Sequence, residues 1–504
     1  MKFRHLGILA LAMVIPAAVA QTQKEAGGLA ADAELVETRT ASPVLKTAAA
    51  YEPADNTVLV ELSEYAGYAG IIVANGGMQA SEESWFFKNA KFKVKIALAE
   101  EENWSSINAG RIGVSATTAD VLPIYGKQFN VVVPLLIGYS RGADGIVVRS
   151  EIAQINALKG KTLAACQFNE SDFFIRYLAQ ESGLDVNALP DLAAAPHQGK
   201  INVVYCADSF GAGDIFLRDV LAGRDRLHGC VTWEPKTSEV AQQSQAKAKV
   251  LITNKNLLII ADVLLVNRDF AQKRPELVRA LVEGVIAGHA MLRADSKPHL
   301  DTIAKAFGWT PEKAARELAK VHLANLPENL AFFAGTMDSA GSYGYIYESA
   351  VMAYGPDIIR DTRASEKWLD LAHLKALDQE GKFKDQKADI KPIREHADLQ
   401  AEEPLLAKNV RFLFQPNSNK LDLNDKNNLA DLERISKMLQ VSPGSTLTLR
   451  GHTDTTMVEA YRKSGGAKLV REMALRAKQL SKERCEEVRT VLAENYKTDP
   501  NRVE

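Results

Sequence analysis

Two charged side chains near the C-terminal end of the chain, one carboxylate and one guanidinium, have the chemistry to bind groups of opposite charge. Asp454 ends the sequence Gly-His-Thr-Asp at 451–454, and Arg484 follows Ser481 by three residues. A carboxylate receives an ammonium group, and the planar guanidinium of arginine binds a carboxylate through two parallel hydrogen bonds. The alternative is an ordinary surface ion pair. His452 is interpreted as a structural residue of the turn, not as a metal ligand.

The patterns around these residues predict two strands and two helices. An alternating strand at 409–414 is followed by a helix at 426–439 with apolar residues on one face. A second strand, at 446–450, enters the Gly-His-Thr-Asp turn. A second helix then carries Arg484 and continues to Leu492. The elements that position Asp454 and Arg484 are therefore expected to form a small α/β unit over residues 405–504.

This order of elements, with its Gly-His-Thr-Asp and Leu-Ser-x-x-Arg sequences, resembles the OmpA-like domain that holds bacterial envelope proteins to peptidoglycan. The resemblance implies that Asp454 and Arg484 bind diaminopimelate in the peptidoglycan stem peptide. The chain departs from the family in two respects. Residues 455–479 replace a short segment, and the sequence stops where the family has a further glycine-containing strand.

The N-terminus has the composition of a secretory signal. Lys2 and Arg4 precede an apolar run at 6–19, and an Ala-Val-Ala sequence lies directly before Gln21. The apolar run is short for a membrane span, although a retained anchor is the alternative. The sequence therefore predicts that residues 1–20 are removed and that the product lies in the periplasm, associated with the cell wall and the outer membrane.

Composition sets further bounds on function. The formal net charge is −2 and no basic tract stands out, so no electrostatic argument favours nucleic acid. The cysteines lack CxxC spacing and clustered histidines, so we expect neither a zinc site nor a cofactor. Cys206 and Cys230 are the first candidates for a disulfide, and buried thiols are the alternative. The four cysteines are Cys166, Cys206, Cys230 and Cys485.

Four regions follow the predicted signal. Residues 21–56 lack periodicity and are expected to be a flexible linker. Residues 57–380 alternate apolar strands with helices, and a charged, proline-punctuated connector at 381–404 precedes the unit at 405–504. Alternation of this kind predicts an α/β fold with parallel sheets and crossover helices. The predicted strands of the large region are 57–62, 92–99, 131–136, 145–148, 162–165, 201–204 and 262–266.

Several short sequence segments of the large region, taken in their order along the chain, resemble those of periplasmic solute-binding proteins of the nitrate, taurine and alkanesulfonate type, which serve ABC transporters. They are 107–114, 141–148, 158–164, 231–235 and 260–270. The resemblance implies a two-lobed periplasmic-binding-protein fold of type II, with the chain crossing between lobes near 145–150 and 255–262. Gly113 departs from the family, which usually has Asp there.

Strand ends and helix N-termini of the two lobes are the expected ligand contacts, since free backbone N–H groups lie there. Ser171 has the alternative role of helix N-cap, Trp233 that of a core residue, and Asp262 that of a partner for a structural arginine. Glu234 and Asp262 together would favour a ligand with an amino or guanidino group. The candidate residues are Ser63, Tyr65, Tyr68, Ser115, Thr117, Asn169, Ser171, Trp233, Glu234 and Asp262.

These observations predict a small-molecule binding protein, not an enzyme, tethered to peptidoglycan. It would deliver a solute to an inner-membrane ABC transporter or a sensor. One alternative is a structural envelope protein whose lobes bind a protein partner. A second is an enzyme similar to thiamine-pyrimidine synthases, which is less favoured because the histidines of the large region are scattered and no Cys-His cluster is present.

Overall fold

The computed structural model describes residues 34–99, 104–337, 340–390, 404–416, 418–452 and 456–504. The predicted signal at 1–20 lies outside these residues. Twelve strands and sixteen α-helices are defined within them. The strands are β1 (Thr57–Leu62), β2 (Lys93–Leu98), β3 (Val114–Thr118), β4 (Val131–Ser140), β5 (Asp144–Arg149), β6 (Thr162–Cys166), β7 (Val186–Ala188), β8 (Ile201–Cys206), β9 (Gly229–Trp233), β10 (Ala248–Thr253), β11 (Ala261–Asn267) and β12 (Val321–Leu323).

Helix α11 shows how a helix start follows from the local sequence, since Thr310 is its N-cap and Pro311 is its first residue. The helices are α1 (Ala69–Asn75), α2 (Trp85–Ala90), α3 (Trp104–Asn108), α4 (Leu122–Tyr125), α5 (Glu170–Glu181), α6 (Ser209–Leu221), α7 (Lys236–Gln243), α8 (Arg268–Lys273), α9 (Pro275–Ala294), α10 (Leu300–Phe307), α11 (Pro311–Leu318), α12 (Leu326–Ala334), α13 (Tyr343–Ile358), α14 (Ala372–Gln379), α15 (Lys426–Val441) and α16 (Val458–Tyr496).

Two six-stranded sheets form two lobes, which confirms the predicted two-lobed α/β fold. Lobe one has the strand order β12-β4-β11-β3-β1-β2, and lobe two has β10-β5-β9-β6-β8-β7. Each sheet contains parallel pairs, such as β1 with β2 and β6 with β8. The predicted parallel pairing holds for part of each sheet, whereas β11 and β5 run antiparallel to their neighbours. Both strands enter their sheet from the other lobe, and therefore from the opposite end.

The chain crosses between the lobes twice, at 141–143 after β4 and at 254–260 after β10. The first crossing was predicted near 145–150, which is too late. Residues 144–149 already form β5, which pairs with β9 and β10 inside lobe two. The second crossing overlaps its predicted position.

Pro134 lies in the middle of β4, not at an end of it. On one side, β12 pairs only with residues 138–140 and leaves Pro134 without a strand partner there. On the other side, the register with β11 shifts between Leu264 and Val266, next to Pro134. An edge position or a bulge is where a strand tolerates a residue that has no N–H to donate.

The prediction of a flexible linker is wrong for residues 34–56, which pack along both lobes. Leu35 forms an antiparallel bridge with Cys206 in lobe two. Tyr51 is 3% exposed in the core of lobe one. A Cβ atom at Gly113 would lie 2.4 Å from the Tyr51 ring. The packing of this segment therefore leaves no room for a side chain at position 113.

The structure supports the alternative in which the cysteines are thiols and Cys206 and Cys230 form no disulfide. All four cysteines are free thiols, and Cys166, Cys206 and Cys230 are buried. Cys206 and Cys230 belong to the same apolar cluster of lobe two. Burial raises the pKa of the Cys206 thiol to about 12, so this group is unreactive at neutral pH.

The C-terminal unit contains α15 and α16, whose apolar faces meet at Leu432, Leu439 and Leu492. The two predicted strands are reduced to isolated bridges, Phe414 with Leu421 and Leu447 with Val503. Residues 455–479 were expected to be an insertion; of these, residues 458–479 form the first half of α16, which is interrupted at Gly465 and Gly466. Within the described residues, no helix is long and apolar enough to cross a membrane.

The C-terminal unit lies against lobe two and against the second crossing. Arg434 in α15 forms an ion pair with Glu181 at the end of α5, with 2.9 Å between nitrogen and oxygen. The Leu258 N–H, in the crossing at 254–260, donates to the Val441 carbonyl over 2.7 Å. The end of α15 is thus bonded to one of the two segments that connect the lobes.

A buried carboxylate, Glu328, joins three elements of lobe one. It completes a capping box with Asn325 at the start of α12. Arg293 of α9 and His322 of β12 each lie 3.0 Å from its Oε2 atom. The Asp389 N–H donates to Oε1, which ties the residues after α14 to the same group. Burial raises the pKa of Glu328, but the hydrogen bond and charge of His322, with the Asn325 N–H and Arg293, lower it to about 2.

Replacing Glu328 by glutamine should destabilise the fold by roughly 3 kcal/mol at pH 7, because the ionised form is the one that its partners stabilise. The folded-state pKa is depressed, so this stability is present above about pH 4.5 and is lost as pH falls towards 2. Urea denaturation at pH 7 and pH 3 measures it. Glu348→Gln, an exposed change in α13, is the matched control, and equal stability of the two variants would contradict the prediction.

Candidate ligand-binding site

A small cavity of about 30 Å³ lies between the two lobes. Its walls come from the ends of strands in both lobes and from the crossing segments. The volume is about that of one or two water molecules, so the lobes lie closed upon each other in this structure. The lining residues are Ser63, Tyr65, Tyr68, Thr118, Ser140, Asp144, Glu170, Trp233, Ile260 and Asp262.

Lobe one contributes two tyrosines and a carboxylate. Tyr65 follows β1, and Tyr68 ends the short 3₁₀ turn Ala66–Tyr68, so both rings project from the carboxyl end of a parallel strand. The rings meet edge to face with centroids 5.3 Å apart. The Tyr68 hydroxyl donates to Asp262 Oδ1 over 3.1 Å, which fixes the carboxylate at the start of β11.

Lobe two contributes two carboxylates and a tryptophan. Asp144 is the first residue of β5, Glu170 is the first residue of α5, and Trp233 is the last residue of β9. The Trp233 ring packs beside Phe210 with centroids 5.4 Å apart, so it serves both the core and the cavity wall. These three positions face lobe one because each lies where its element ends or begins at the cleft.

Asp144 is held by groups from both crossings. The Ser140 hydroxyl and the Asn254 side-chain amide both donate to Asp144 Oδ2. The Asn254 Oδ1 atom accepts the N–H groups of Gly142 and Asp144, over 2.7 and 3.2 Å. Burial raises the pKa of Asp144 to about 6, against the lowering effect of the hydrogen bonds from Ser140 and Asn254.

Three carboxylates surround the Tyr65 hydroxyl. Burial, and then the charges of Asp262, Asp144 and Glu170, raise the pKa of Tyr65 well above its ordinary value. The three acidic residues are 3, 4 and 8% exposed, respectively. The Tyr65 hydroxyl and these three carboxyl groups therefore lie in a poorly hydrated part of the protein.

Thr118 and Trp233 each place on the cavity wall a polar atom that has no hydrogen-bond partner among the described residues. Thr118 Oγ1 and Trp233 Nε1 are buried, and neither has a hydrogen-bond partner among the described residues. A buried polar group that makes no hydrogen bond costs about 1–3 kcal/mol. Both side chains line the cavity, so a molecule inside it is the means by which they could be satisfied.

The structure brings half of the predicted contacts together. Ser63, Tyr65, Tyr68, Trp233 and Asp262 all line the cavity. They share a position directly after a strand, at its end or next to a crossing, which is where sequence reasoning placed them.

The remaining candidates in β3 and α5 do not line the cavity. Ser115 and Thr117 lie within β3, and only its last residue, Thr118, reaches the cavity. Asn169, not Ser171, is the N-cap of α5, and its Oδ1 accepts the N–H groups of Ser171 and Asp172. The Ser171 hydroxyl lies 3.1 Å from that of Ser209, at the start of α6.

Glu234, the tenth candidate, lies beside the cavity and joins the lobes. Its carboxylate accepts from the Ser238 N–H and hydroxyl within lobe two. It also forms an ion pair with Lys320, between α11 and β12 of lobe one, at 2.9 Å. A carboxylate that is 7% exposed is thus paired with a lysine of the other lobe.

Sequence reasoning missed Thr118, Ser140, Asp144, Glu170 and Ile260. The signal for three of them was their position next to a crossing, since Ser140 and Asp144 flank the first and Ile260 ends the second. Placing the first crossing correctly would have identified Asp144. Glu170 lies in the first turn of a helix, where an acidic residue has an ordinary structural explanation.

The predicted peptidoglycan site is described in part. Asp454 and Thr453 lie outside the described residues. Arg484 donates to the Ser418 carbonyl over 3.2 and 3.3 Å, and its guanidinium lies 4.6 Å from the centre of the Phe414 ring. A Cβ atom at Gly451 would lie 2.1 Å from the Ser481 hydroxyl, so the turn begins against the helical face that carries Arg484. Gly451, His452 and Arg484 line one broad, open cleft.

No protein-family model matches the chain, and no curated protein matches it. Among solved structures, it is similar to the periplasmic aliphatic sulphonate binding protein SsuA from Escherichia coli, with 16% identity and a TM-score of 0.45 over 63% of this chain and 98% of that chain. It is similar to the alkanesulfonate-binding protein SsuA from Xanthomonas axonopodis pv. citri bound to MOPS, with 16% identity and a TM-score of 0.44 over 62% and 97%. It is also similar to the periplasmic nitrate-binding protein NrtA from Synechocystis PCC 6803, with 11% identity and a TM-score of 0.39 over 52% and 70%.

Asp144→Asn should stabilise the ligand-free protein at pH 7.5 by up to roughly 3 kcal/mol, because it removes the cost of burying a charge. The folded-state pKa of about 6 lies above the ordinary value of 3.8, so the cost is largest above pH 6. It should fall by about half at pH 5, where the folded protein binds the proton. Urea denaturation at both pH values measures the difference in free energy of unfolding between the variant and the wild type. Asp385→Asn, at an exposed position, should show no such difference. A difference that does not change with pH for Asp144→Asn would contradict the raised pKa of Asp144.

Proposed function

We propose that the chain is a receptor for a small molecule, which its two lobes enclose, and that its C-terminal unit binds peptidoglycan. The observation that carries the receptor function is the cavity between the lobes. Its walls combine Tyr65, Tyr68 and Asp262 from lobe one with Asp144, Glu170 and Trp233 from lobe two. A molecule held there contacts both lobes at once, so its binding energy favours the closed state over the open one.

Entry of a solute requires the lobes to separate. A space of about 30 Å³ does not admit a molecule larger than water from outside. The crossings at 141–143 and 254–260 are short connections on which such a motion can turn. Binding in a cleft of this kind needs no chemical step, and we propose delivery of the solute to a membrane transporter or a sensor.

The ion pair of Lys320 with Glu234 supports the closed state independently of any solute. Lys320 also contacts Glu317, at 3.1 Å within its own lobe. Of these two ion pairs of Lys320, the one with Glu234 joins the two lobes, and it is lost when they separate. Because Glu234 is nearly fully buried, removing its cationic partner leaves a carboxylate with fewer stabilising contacts.

The tether is proposed from the C-terminal unit. Arg484 lies in an open cleft whose wall includes the first two residues of the Gly-His-Thr-Asp turn. A guanidinium in such a place can bind the carboxylate of a diaminopimelate side chain, with Asp454 receiving its ammonium group. We accordingly propose a periplasmic product, freed of residues 1–20 and held at the cell wall. Its proposed domains span 57–380 and 405–504.

Replacing Lys320 by alanine should weaken the affinity for a retained solute about tenfold and so lower its occupancy, because a loss of roughly 1.4 kcal/mol in closed-state stability changes the binding constant by that factor. Native mass spectrometry of the purified chain measures the occupancy, and small-angle X-ray scattering measures the opening. Arg316→Ala, in exposed surface of α11, is the control that removes the same charge. Absence of any bound small molecule from the wild-type chain, with unchanged scattering in Lys320→Ala, would contradict the receptor function.

Arg484→Ala and Asp454→Ala should each abolish co-sedimentation with purified peptidoglycan. The control is Arg489→Ala, in the same helix, whose guanidinium is bonded to the Pro500 carbonyl. It should bind the wall as the wild type does. Retention of binding by both test variants would refute the proposed pocket, and circular dichroism distinguishes loss of binding from loss of fold.

A further inference from the structure

We propose that the solute is an uncharged molecule with an oxygen acceptor, and that Trp233 Nε1 and Thr118 Oγ1 bind it from opposite lobes. This inference rests on the proposed receptor function and specifies the ligand of the same cavity. It differs from the sulfonates and the nitrate for which the similar structures are named.

Trp233 and Thr118 reach the cavity from the two sides of the cleft. Trp233 is the last residue of β9 in lobe two, and Thr118 is the last residue of β3 in lobe one. They are 9% and 5% exposed. The Nε1 and Oγ1 atoms have no hydrogen-bond partner among the described residues. A molecule bonded to both atoms contacts the two lobes at once, so its binding favours the closed state.

Comparable side chains elsewhere in the two lobes have hydrogen-bond partners. The Trp368 Nε1 atom donates to the Tyr347 hydroxyl over 3.3 Å, and the Thr237 hydroxyl donates to the Thr232 carbonyl over 3.2 Å. A buried polar atom without a partner destabilises the protein, and a ligand that supplies the partner removes this cost. Because both atoms of the preceding paragraph lie on the cavity wall, their partners are expected inside the cavity.

The chemistry of the indole group specifies what the ligand must carry. The Nε1 atom of Trp233 is a donor only, so it needs an acceptor, whereas the Thr118 hydroxyl both donates and accepts. A carbonyl, sulfonyl, ether or hydroxyl oxygen meets this requirement. An ammonium group that is not accompanied by such an oxygen does not.

The donors on the cavity wall suit an uncharged acceptor. None of the described residues that line the cavity is lysine, arginine or histidine. Two lining hydroxyls already donate to carboxylates, Tyr68 to Asp262 and Ser140 to Asp144. An ionised carboxylate is an acceptor only, so the acids of the wall give an anion no hydrogen bond. An anion enclosed without a paired cation pays a large desolvation cost, which an uncharged oxygen avoids.

The helix N-terminus at the cavity is capped by the protein itself. An N-terminus of this kind attracts anions through its free N–H groups and its dipole. In α5, however, the Asn169 side chain accepts the N–H groups of Ser171 and Asp172. Those two N–H groups are therefore bonded within the protein and are not available to an anion.

Arg141 is the basic residue next to a lining residue in the sequence, since it directly follows Ser140. It belongs to the first crossing, and its Nε atom is buried with no hydrogen-bond partner among the described residues. It does not line the cavity. A contact between an anion and this side chain is the arrangement that competes with the proposal, and Arg141→Met tests it.

The rest of the wall is largely apolar and aromatic. The rings of Tyr65, Tyr68 and Trp233 and the side chain of Ile260 line the cavity. Sites for small molecules commonly combine such walls with a few polar groups that fix the orientation of the ligand. Trp233 and Thr118 are therefore the residues that we expect to determine specificity.

The test uses the full chain and probes that differ in charge but little in shape. Acetamide and dimethyl sulfone are uncharged acceptors, acetate and methanesulfonate are the corresponding anions, and ethylammonium is a cation without an oxygen. Isothermal titration and thermal unfolding should show saturable binding of an uncharged acceptor and weaker binding of its anion. Trp233→Phe and Thr118→Val should each weaken the uncharged probe about tenfold, as expected for one lost hydrogen bond. Trp309→Phe, outside the cavity, should leave the affinity unchanged.

The stability of the ligand-free variants separates a ligand contact from a structural one. Thr118→Val removes a polar atom that has no partner, so the Tm should hold or rise. Thr237→Val is the matched control, because it removes a buried hydrogen bond and should lower the Tm. An equal fall of the Tm in both variants would assign the Thr118 hydroxyl a structural role and overturn its place in the site.

A measurement on the wild type guards against variants that fail to fold. The chain has five tryptophans, and the indole N–H signal that is missing from the NMR spectrum of Trp233→Phe identifies that of Trp233. This signal should move downfield when acetamide or dimethyl sulfone binds, because a hydrogen bond deshields the proton. Binding of either probe without movement of this signal would overturn the contact with Trp233.

The remaining outcomes separate the ligand class from the receptor function. Tighter binding of acetate or methanesulfonate than of the uncharged probes, lost in Arg141→Met, would overturn the ligand class and leave the receptor function standing. Preferential binding of ethylammonium would do the same. Native mass spectrometry of the purified chain identifies a retained solute, and a solute that is charged or lacks oxygen also overturns the class. Absence of a retained solute and of binding by every probe overturns both proposals.

Discussion

The side-chain amide of Asn254 is the constraint on which the arrangement of the lobes depends. It is fully buried and is bonded to the backbone of the first crossing, at Gly142 and Asp144, while it belongs itself to the second. Its Nδ2 atom donates to the Asp144 carboxylate. One amide therefore fixes the first crossing, the second crossing and the Asp144 carboxylate relative to one another. The two sheets, and the cavity walls that extend from their strand ends, are positioned relative to each other through this group.

A cavity with three buried acids has a stability cost that the protein meets by local hydrogen bonds. Asp144 accepts from Ser140 and Asn254, and Asp262 accepts from Tyr68. These bonds hold the carboxylates in place. In the core of lobe one, by contrast, Glu328 is bonded to both His322 and Arg293, and its pKa falls, whereas the pKa of Asp144 rises. The two acids differ because hydrogen bonds from neutral groups offset less of the cost of burial than bonds from basic groups do.

Much of the fold could be predicted from the sequence, because period-two and period-3.6 apolar patterns fix strands and helices locally. The candidate site was predictable where it depends on strand ends, as at Tyr65, Tyr68 and Asp262. It was not predictable at Thr118, since the last residue of β3 is distinguished from Ser115 and Thr117 only by where the strand stops. Side-chain partners across the fold also leave no local pattern. In the C-terminal unit, alternation predicted two strands, of which the described residues keep only isolated bridges at Phe414 and Leu447.

The bond between Leu258 and Val441 connects two parts of the molecule that would otherwise be mechanically separate. Leu258 lies in the crossing at 254–260, and Val441 ends a helix of the unit that carries Arg484. A displacement of that unit therefore reaches the crossing directly. Under the attachment and the lobe opening proposed above, a force on the attached unit and the opening of the cleft act on the same short segment of backbone.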